Sequence, residues 1–197
     1  ARLVPCPVPL PSAFGSHVTY TEQLRRITDV AGISAAVAPK MFSDWIADSL
    51  SDRKLVFVGT LADLDNVAAA LPSGNEPDPG EIAYLQFSSG TTSDPKGVVV
   101  THGAMMANIR AMAVHGLELR EDDRGVSWLP YYHDMGLVGG VMVPIASQMS
   151  ADYLTTRDFI LRPGIWLELI SRNRGTMSYA PSFGYDLAAR RARPDAS

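Results

Sequence analysis

Short apolar runs taking turns with helical patterns constrain this chain more than any other feature. The run "KLVFVG" at 54–59 is continuously apolar after its first residue, the pattern of a parallel strand buried on both faces. A helix precedes it in the pattern: Leu24, Ile27 and Ala31 share a face, Thr19 and Glu22 stand at capping-box spacing, and Gly32 supplies a left-handed stop. "ISAAVAP" (33–39) reads as a strand and 42–47 as a short helix. The opening "LVPCPVPL" alternates apolar residues with prolines, which cannot donate to a ladder, so it reads as an edge strand or an extended lead-in.

The alternation resumes further on. "IAYLQFS" (82–88) and "GVVVT" (97–101) read as strands, and Thr101 can cap a helix whose Met105, Ile109, Met112 and Ala113 line one stripe before Gly116. That methionine stripe reads as core. "GVSWLP" (125–130), "ADYLTT" (151–156) and "GTMSYAP" (175–181) read as further strands. Between them come a buried, small-residue helix at 134–146 and a helix opened by Pro163 and buried through Trp166, Leu169 and Ile170; "SFGYDLAARR" starts a last helix. The chain is expected to be an α/β fold with a largely parallel sheet flanked by helices. "LPSGNEPDPGE" (71–81) has the composition of a solvated linker, which divides the chain into a first segment, 1–75, and a second, 76–197.

Composition excludes several functions. Seventeen basic against twenty-one acidic residues give a net charge of −4 without basic runs, which argues against a nucleic-acid partner. Cys6 is the single cysteine, and His17, His102, His115 and His133 are scattered, so no internal disulfide and no metal-ligand set is expected. A reducing, cytoplasmic setting suits this. No apolar run is long enough to span a bilayer, and the N-terminal residues lack the apolar core of a signal peptide. The first residue is not Met, so the chain is expected to be part of a longer protein.

Chemistry concentrates in "FSSGTTSDPKG" (87–97), which packs five hydroxyl side chains, two glycines and a lysine between two strands. Backbone N–H groups and short hydroxyls converging near glycine make an anion cradle, and Lys96 adds a mobile point charge suited to a polyphosphate. The same residue types also build solvated hairpin turns. A Walker A loop is ruled out because Pro95 stands where glycine is required and Gly97 where a hydroxyl is required. Neither G-x-G-x-x-G after a strand nor G-x-S-x-G occurs.

The stretch resembles the phosphate loop of adenylate-forming enzymes, [ST]-[SG]-G-[ST]-[ST]-[GS]-x-P-K-G, with Ser93 where glycine is more usual. "SWLPYYHDMGLVGG" (127–140) resembles the motif that places an aromatic residue or histidine beside the carboxylate being activated, in the form seen in fatty acyl-AMP ligases. "YAPSFGYDLAARR" (179–191) is similar to a third stretch of that family, along its acyl pocket. The resemblance implies that both segments belong to one AMP-binding domain. It implies ATP-dependent activation of a fatty acid to acyl-AMP with release of pyrophosphate, and transfer to an acyl carrier protein or to a carrier domain of a polyketide or nonribosomal peptide synthase.

By resemblance, Ser88, Ser89, Gly90, Thr91, Thr92, Ser93, Lys96 and Gly97 hold the phosphates of ATP. His133 and Lys96 act in catalysis, and Tyr132, His133, Met135, Gly136, Gly139, Pro181 and Ser182 lie against the acid. Taken alone, His133 also reads as a turn or core residue, and the glycines as ordinary helix packing. Mg²⁺ is a cofactor of the family, with its glutamate, the ribose aspartate and the catalytic lysine of the C-terminal domain expected beyond Ser197. A long-chain acyl-CoA ligase and a non-catalytic nucleotide-binding or interaction module stand as alternatives.

Overall fold

The computed structural model describes residues 3–11, 17–64, 76–87 and 95–191. They form two compact units, Ala1–Thr101 and His102–Ser197. The division expected at 75/76 adjoins residues outside the described ones; from Asp78 onward the linker is a turn in which the Asp78 carboxylate accepts from the Gly80 N–H at 2.8 Å.

The first unit runs α1 (His17–Ala31), β1 (Ala35–Val37), α2 (Lys40–Ser49), β2 (Phe57–Gly59), α3 (Leu61–Leu64), β3 (Ile82–Phe87) and β4 (Gly97–Thr101). β1 and β2 pair in parallel, Ala35 opposite Phe57 through Val37 opposite Gly59. Tyr20, Leu24, Ala38, Ile46 and Leu50 form the core beside them. Tyr20 heads the buried stripe of α1, so the helix begins ahead of Thr19, which lies inside it and not at its cap. Gly32 does take the left-handed conformation, at φ 60°. The strand at 54–59 is shorter and less covered than its pattern promises. Among the described residues β2 pairs with β1 alone, and Val56, 88 % exposed, lies outside the ladder. The proline-rich lead-in is extended chain and not a strand; its Pro5 carbonyl accepts from Leu85 N–H at 2.9 Å, and its Pro9 carbonyl from the Tyr20 hydroxyl at 2.6 Å.

β3 and β4 pair antiparallel, with Phe87 opposite Gly97, so the two ends of the intervening loop are held side by side. A Cβ at Gly97 would stand 2.9 Å from the Phe87 ring, so a larger residue there would displace that ring.

The second unit runs α4 (His102–Arg110), continued by a π-helical turn at Ala111–Gly116, then β5 (Arg124–Ser127), a π-helix at Met135–Met142 that becomes α5 (Val143–Ala146), β6 (Ser150–Tyr153), α6 (Thr156–Leu161), α7 (Gly164–Asn173) and α8 (Ser182–Arg191). β5 and β6 are parallel, Arg124 opposite Ser150 through Ser127 opposite Tyr153. The core is aromatic: Trp128 stacks on Phe159 with centroids 3.8 Å apart, and Trp166 meets both edge-on. Parallel pairs therefore predominate among the described residues, with helices packed against them, as an α/β fold requires.

Two elements depart from the sequence pattern. Residues 175–181 make only a single parallel bridge, Met177 to Gly125. Beyond it the ladder is replaced by side chains, the Ser178 hydroxyl donating to Val126 O at 2.6 Å and accepting from Trp166 Nε1 at 2.9 Å. The helix α6 was not expected. Its signal is Thr155, whose hydroxyl accepts from Asp158 N–H at 3.0 Å and donates to the Asp158 carboxylate at 2.6 Å, a cap hidden inside an apolar, strand-like run.

Candidate functional site

The first group of candidate residues belongs to the β3–β4 hairpin of the first unit. Ser88, Ser89, Gly90, Thr91, Thr92 and Ser93 lie outside the described residues. What is described is the frame: Phe87 and Gly97 paired across the strands, Pro95 half-buried, and Lys96 exposed.

A second group of candidate residues, within the second unit, is built on the exit of β5. Trp128 and Leu129 are buried, and Pro130 turns the chain so that its carbonyl accepts from His133 N–H at 3.2 Å. The His133 carbonyl in turn accepts from Leu137 N–H at 2.7 Å, and the Asp134 carboxylate caps Met135 N–H at 2.7 Å. His133 is thus fixed through its backbone at the start of a helix while its ring stays exposed. The Tyr132 ring lies beside it, centroids 4.7 Å apart at 48°. Partial burial pushes the Tyr132 phenol up, so it is a neutral donor at ordinary pH. An imidazole at a helix N-terminus offers both a hydrogen-bond partner and a favourable field for a carboxylate.

Met135 is exposed one residue into the helix. Gly136 is buried, and a Cβ there would collide with the Pro130 carbonyl oxygen, so its absence lets the helix rest directly on the strand exit. Gly139 is also buried, and its missing side chain leaves room for Tyr179: a Cβ would be 2.5 Å from that hydroxyl. The neighbouring Gly140 carbonyl accepts from the Tyr153 hydroxyl at 2.8 Å, and Tyr131 meets the Tyr153 ring edge-on at 5.8 Å. Pro181 is half-buried and its carbonyl accepts from Gly184 N–H at 2.8 Å, while Ser182 is exposed at the start of α8. Gly184 packs on Trp128, tying α8 to the strand exit that carries His133.

The structure therefore joins Tyr132 to His133, and brings the glycine-bearing helix against the residue two before Pro181. Sequence reading did not single out Tyr153, and it took Tyr179 only as the first residue of the stretch 179–191. Their signal was faint: two tyrosines near strand ends, facing a Gly-Gly pair in an apolar helix. Burial, reinforced by Tyr153, raises the Tyr179 phenol to about 12, so it too stays neutral. The recess between Tyr179, the two glycines and the β5–β6 strands has a free volume of about 10 Å³. That is room for roughly one water. Among the described residues no three His, Cys, Asp or Glu side chains come together. No described helix is long and apolar enough to cross a membrane.

Comparison with known proteins identifies the family. Residues 13–197 match the family described as AMP-binding enzyme. A putative acyl-CoA synthetase of Caulobacter vibrioides is 44% identical over 194 residues, covering 98% of this chain and 33% of that protein. A long-chain fatty-acid AMP ligase of Mycolicibacterium smegmatis is 40% identical over 134 residues, covering 66% of this chain and 21% of that protein. A solved structure from a study of fatty acyl-adenylate ligases of E. coli and L. pneumophila superposes with a TM-score of 0.90 at 40% identity, over 98% of this chain and 35% of that one. The chain thus spans about a third of the length of its full-coverage relatives. With the hairpin-borne loop, the His133 turn and a match from residue 13 to residue 197, the chain belongs to the AMP-binding enzyme family.

Proposed function

We propose that this chain is the part of a fatty acyl-AMP ligase that holds the phosphates of ATP and orients the fatty acid. The observation that carries the reading is the loop "FSSGTTSDPKG" slung between the paired residues Phe87 and Gly97. The overlap with the fatty acyl-adenylate ligase structure supports it.

In the reaction, a carboxylate oxygen attacks the α-phosphorus of ATP, the bond from that phosphorus to the β-bridging oxygen breaks, and pyrophosphate leaves. Two anions have to meet, so positive charge and oriented donors carry the catalysis. Ser88, Ser89, Gly90, Thr91, Thr92, Ser93 and Gly97 offer hydroxyls and N–H groups to the β and γ phosphates, and Lys96 neutralises charge as pyrophosphate departs. His133 orients the carboxylate with Tyr132 beside it. Met135, Gly136, Gly139, Pro181 and Ser182 border the acyl chain. Mg²⁺, when bound, supplies charge neutralisation on the phosphates.

The acyl-AMP passes to a thiol on an acyl carrier protein, or on a carrier domain of a polyketide or nonribosomal peptide synthase. The need for ATP and the lone Cys6 suit the cytoplasm. A second reading, acyl-CoA formation, is favoured by the name of the Caulobacter relative.

The deciding experiment uses the intact protein with ATP, a fatty acid and Mg²⁺, and measures ATP–pyrophosphate exchange and then products with CoA or with a carrier protein. Acyl-AMP and acyl-carrier with little acyl-CoA is the expected result. Rapid stoichiometric acyl-CoA would establish the second reading, and no exchange with any fatty acid would leave a binding module.

A further inference from the structure

Two points that flank His133 take their support from one side chain on the neighbouring strand. Tyr153 closes β6, where it pairs with Ser127, the last residue of β5. The backbone fixes this strand end twice more: Leu154 N–H donates to Ser127 O at 2.9 Å, and the Thr156 hydroxyl donates to Trp128 O at 3.0 Å. Tyr153 is therefore held to the β5 exit, from which the chain runs on through Tyr131 to His133. Its ring meets Tyr131, two residues before His133, edge-on at 5.8 Å. Its hydroxyl donates to Gly140 O, seven residues after His133, at 2.8 Å.

Packing does not account for this tyrosine. It is 42 % exposed, and the aromatic core of the unit is built without it, on Trp128, Phe159 and Trp166. The helix explains the hydroxyl. Pro144 stands four residues after Gly140 and has no N–H, so the Gly140 carbonyl lacks the donor that an α-helix would supply. A proline ring also crowds the carbonyl four residues before it, and here the winding is π up to Met142. Burial, with Tyr131 adding to it, pushes the Tyr153 phenol up, so it stays a donor at ordinary pH. The hydroxyl thus gives the Gly140 carbonyl the donor that Pro144 withholds, on the helix whose first turn begins at His133.

We infer that Tyr153 is a positioning residue for the adenylation: by tying the end of β6 to both flanks of His133, it holds the imidazole where it orients the fatty-acid carboxylate. This rests on the fatty-acid reading above. Tyr153 acts through His133 and not on the substrate.

The test measures ATP–pyrophosphate exchange in the intact protein with a fatty acid and Mg²⁺, for the wild type, Tyr153→Phe, Tyr153→Leu, His133→Ala and the double variant of Tyr153→Phe with His133→Ala. Tyr153→Phe keeps the ring against Tyr131 and loses only the hydroxyl. It is expected to raise the KM for the acid and lower kcat, together about tenfold in kcat/KM, with the KM for ATP and the melting midpoint close to wild type. Tyr153→Leu removes the ring as well and should lose more; the phenylalanine variant carries the test if the leucine variant melts below the assay temperature. In the double variant, Tyr153→Phe should cost no more than about twofold beyond His133→Ala, because the effects of coupled residues do not add. An undiminished loss in both backgrounds would show that the hydroxyl acts independently of His133 and overturns the inference. So does a Tyr153→Phe enzyme with wild-type kinetics, or one that loses ATP and acid alike. Each of these leaves the acyl-AMP reading standing, whereas a wild type inactive on every fatty acid overturns that reading and this inference together.

Discussion

Arg124 reaches diagonally across the parallel pair β5–β6 to Asp152, its guanidinium Nε donating to the carboxylate Oδ2 at 2.8 Å. The bond clamps the far end of the strand whose exit carries His133. That bond, first of all, holds the Asp152 carboxyl below its usual range, with Asn173 and the charges of Arg124 and Arg172 adding to it.

A pH dependence follows from that depression. A carboxyl with a lowered folded pKa contributes stability that is present above its unfolded pKa and lost as pH falls through the folded one. Asp152→Asn is therefore expected to cost about 1 kcal/mol near neutrality, the upper range for a partly exposed pair. In melting midpoint that is roughly 2–4 °C. Melts of wild type and variant should converge below about pH 4, as the wild-type carboxyl protonates. A gap that persists undiminished at lower pH would assign the effect to packing.

Gly136→Ala tests the seat of the helix. The added methyl meets the Pro130 carbonyl, a backbone atom that cannot swing aside, so the turn through His133 has to move with it. Overpacking of this kind costs about 1–3 kcal/mol. The expected result is a lowered midpoint together with a raised KM for the fatty acid. A wild-type melt would mean that the strand exit yields more easily than its contacts indicate.

How much of this could be read in the sequence depends on the range of the forces involved. The strand–helix alternation, Gly32 and the two strands that meet at Phe87 and Gly97 are set by local propensity and turn chemistry, and they were legible. The strand predicted at 175–181 failed because Ser178 and Trp166 supply side-chain hydrogen bonds where a ladder was expected, across some fifty residues of chain from Val126. The π-helical winding of Met135–Met142 was hidden because the segment is apolar on every side, so no stripe reports its period. Of the site residues, His133 was marked by its motif. Tyr153 was not, since its meaning lies in a hydrogen bond to the Gly140 carbonyl, thirteen residues away.

Lys96→Ala probes the loop. The side chain is exposed, so its removal should leave the melting midpoint within about half a kcal/mol equivalent. Exchange should nevertheless fall by at least about a hundredfold, the usual consequence of deleting one preorganised group that stabilises developing charge. Exchange at the wild-type rate would take Lys96 out of the phosphate site.

The sharpest separation of roles comes from His133. Its position is fixed by main-chain bonds, Pro130 O accepting from its N–H and its own carbonyl accepting from Leu137 N–H, neither of which needs the imidazole. His133→Ala should therefore melt like the wild type, while His133→Asn retains a donor of similar reach and should recover part of any lost activity. If the ring orients the fatty-acid carboxylate, the alanine variant should raise the KM for the acid and lower kcat, together about a hundredfold in kcat/KM, for a positioned group that acts on the reacting carboxylate. The KM for ATP should stay near its wild-type value if, as proposed, the loop from Ser88 to Gly97 holds the phosphates. Equal damage to the KM for ATP and for the acid would show that His133 supports the fold of the whole site, and loss confined to the KM for ATP would move the histidine to the nucleotide.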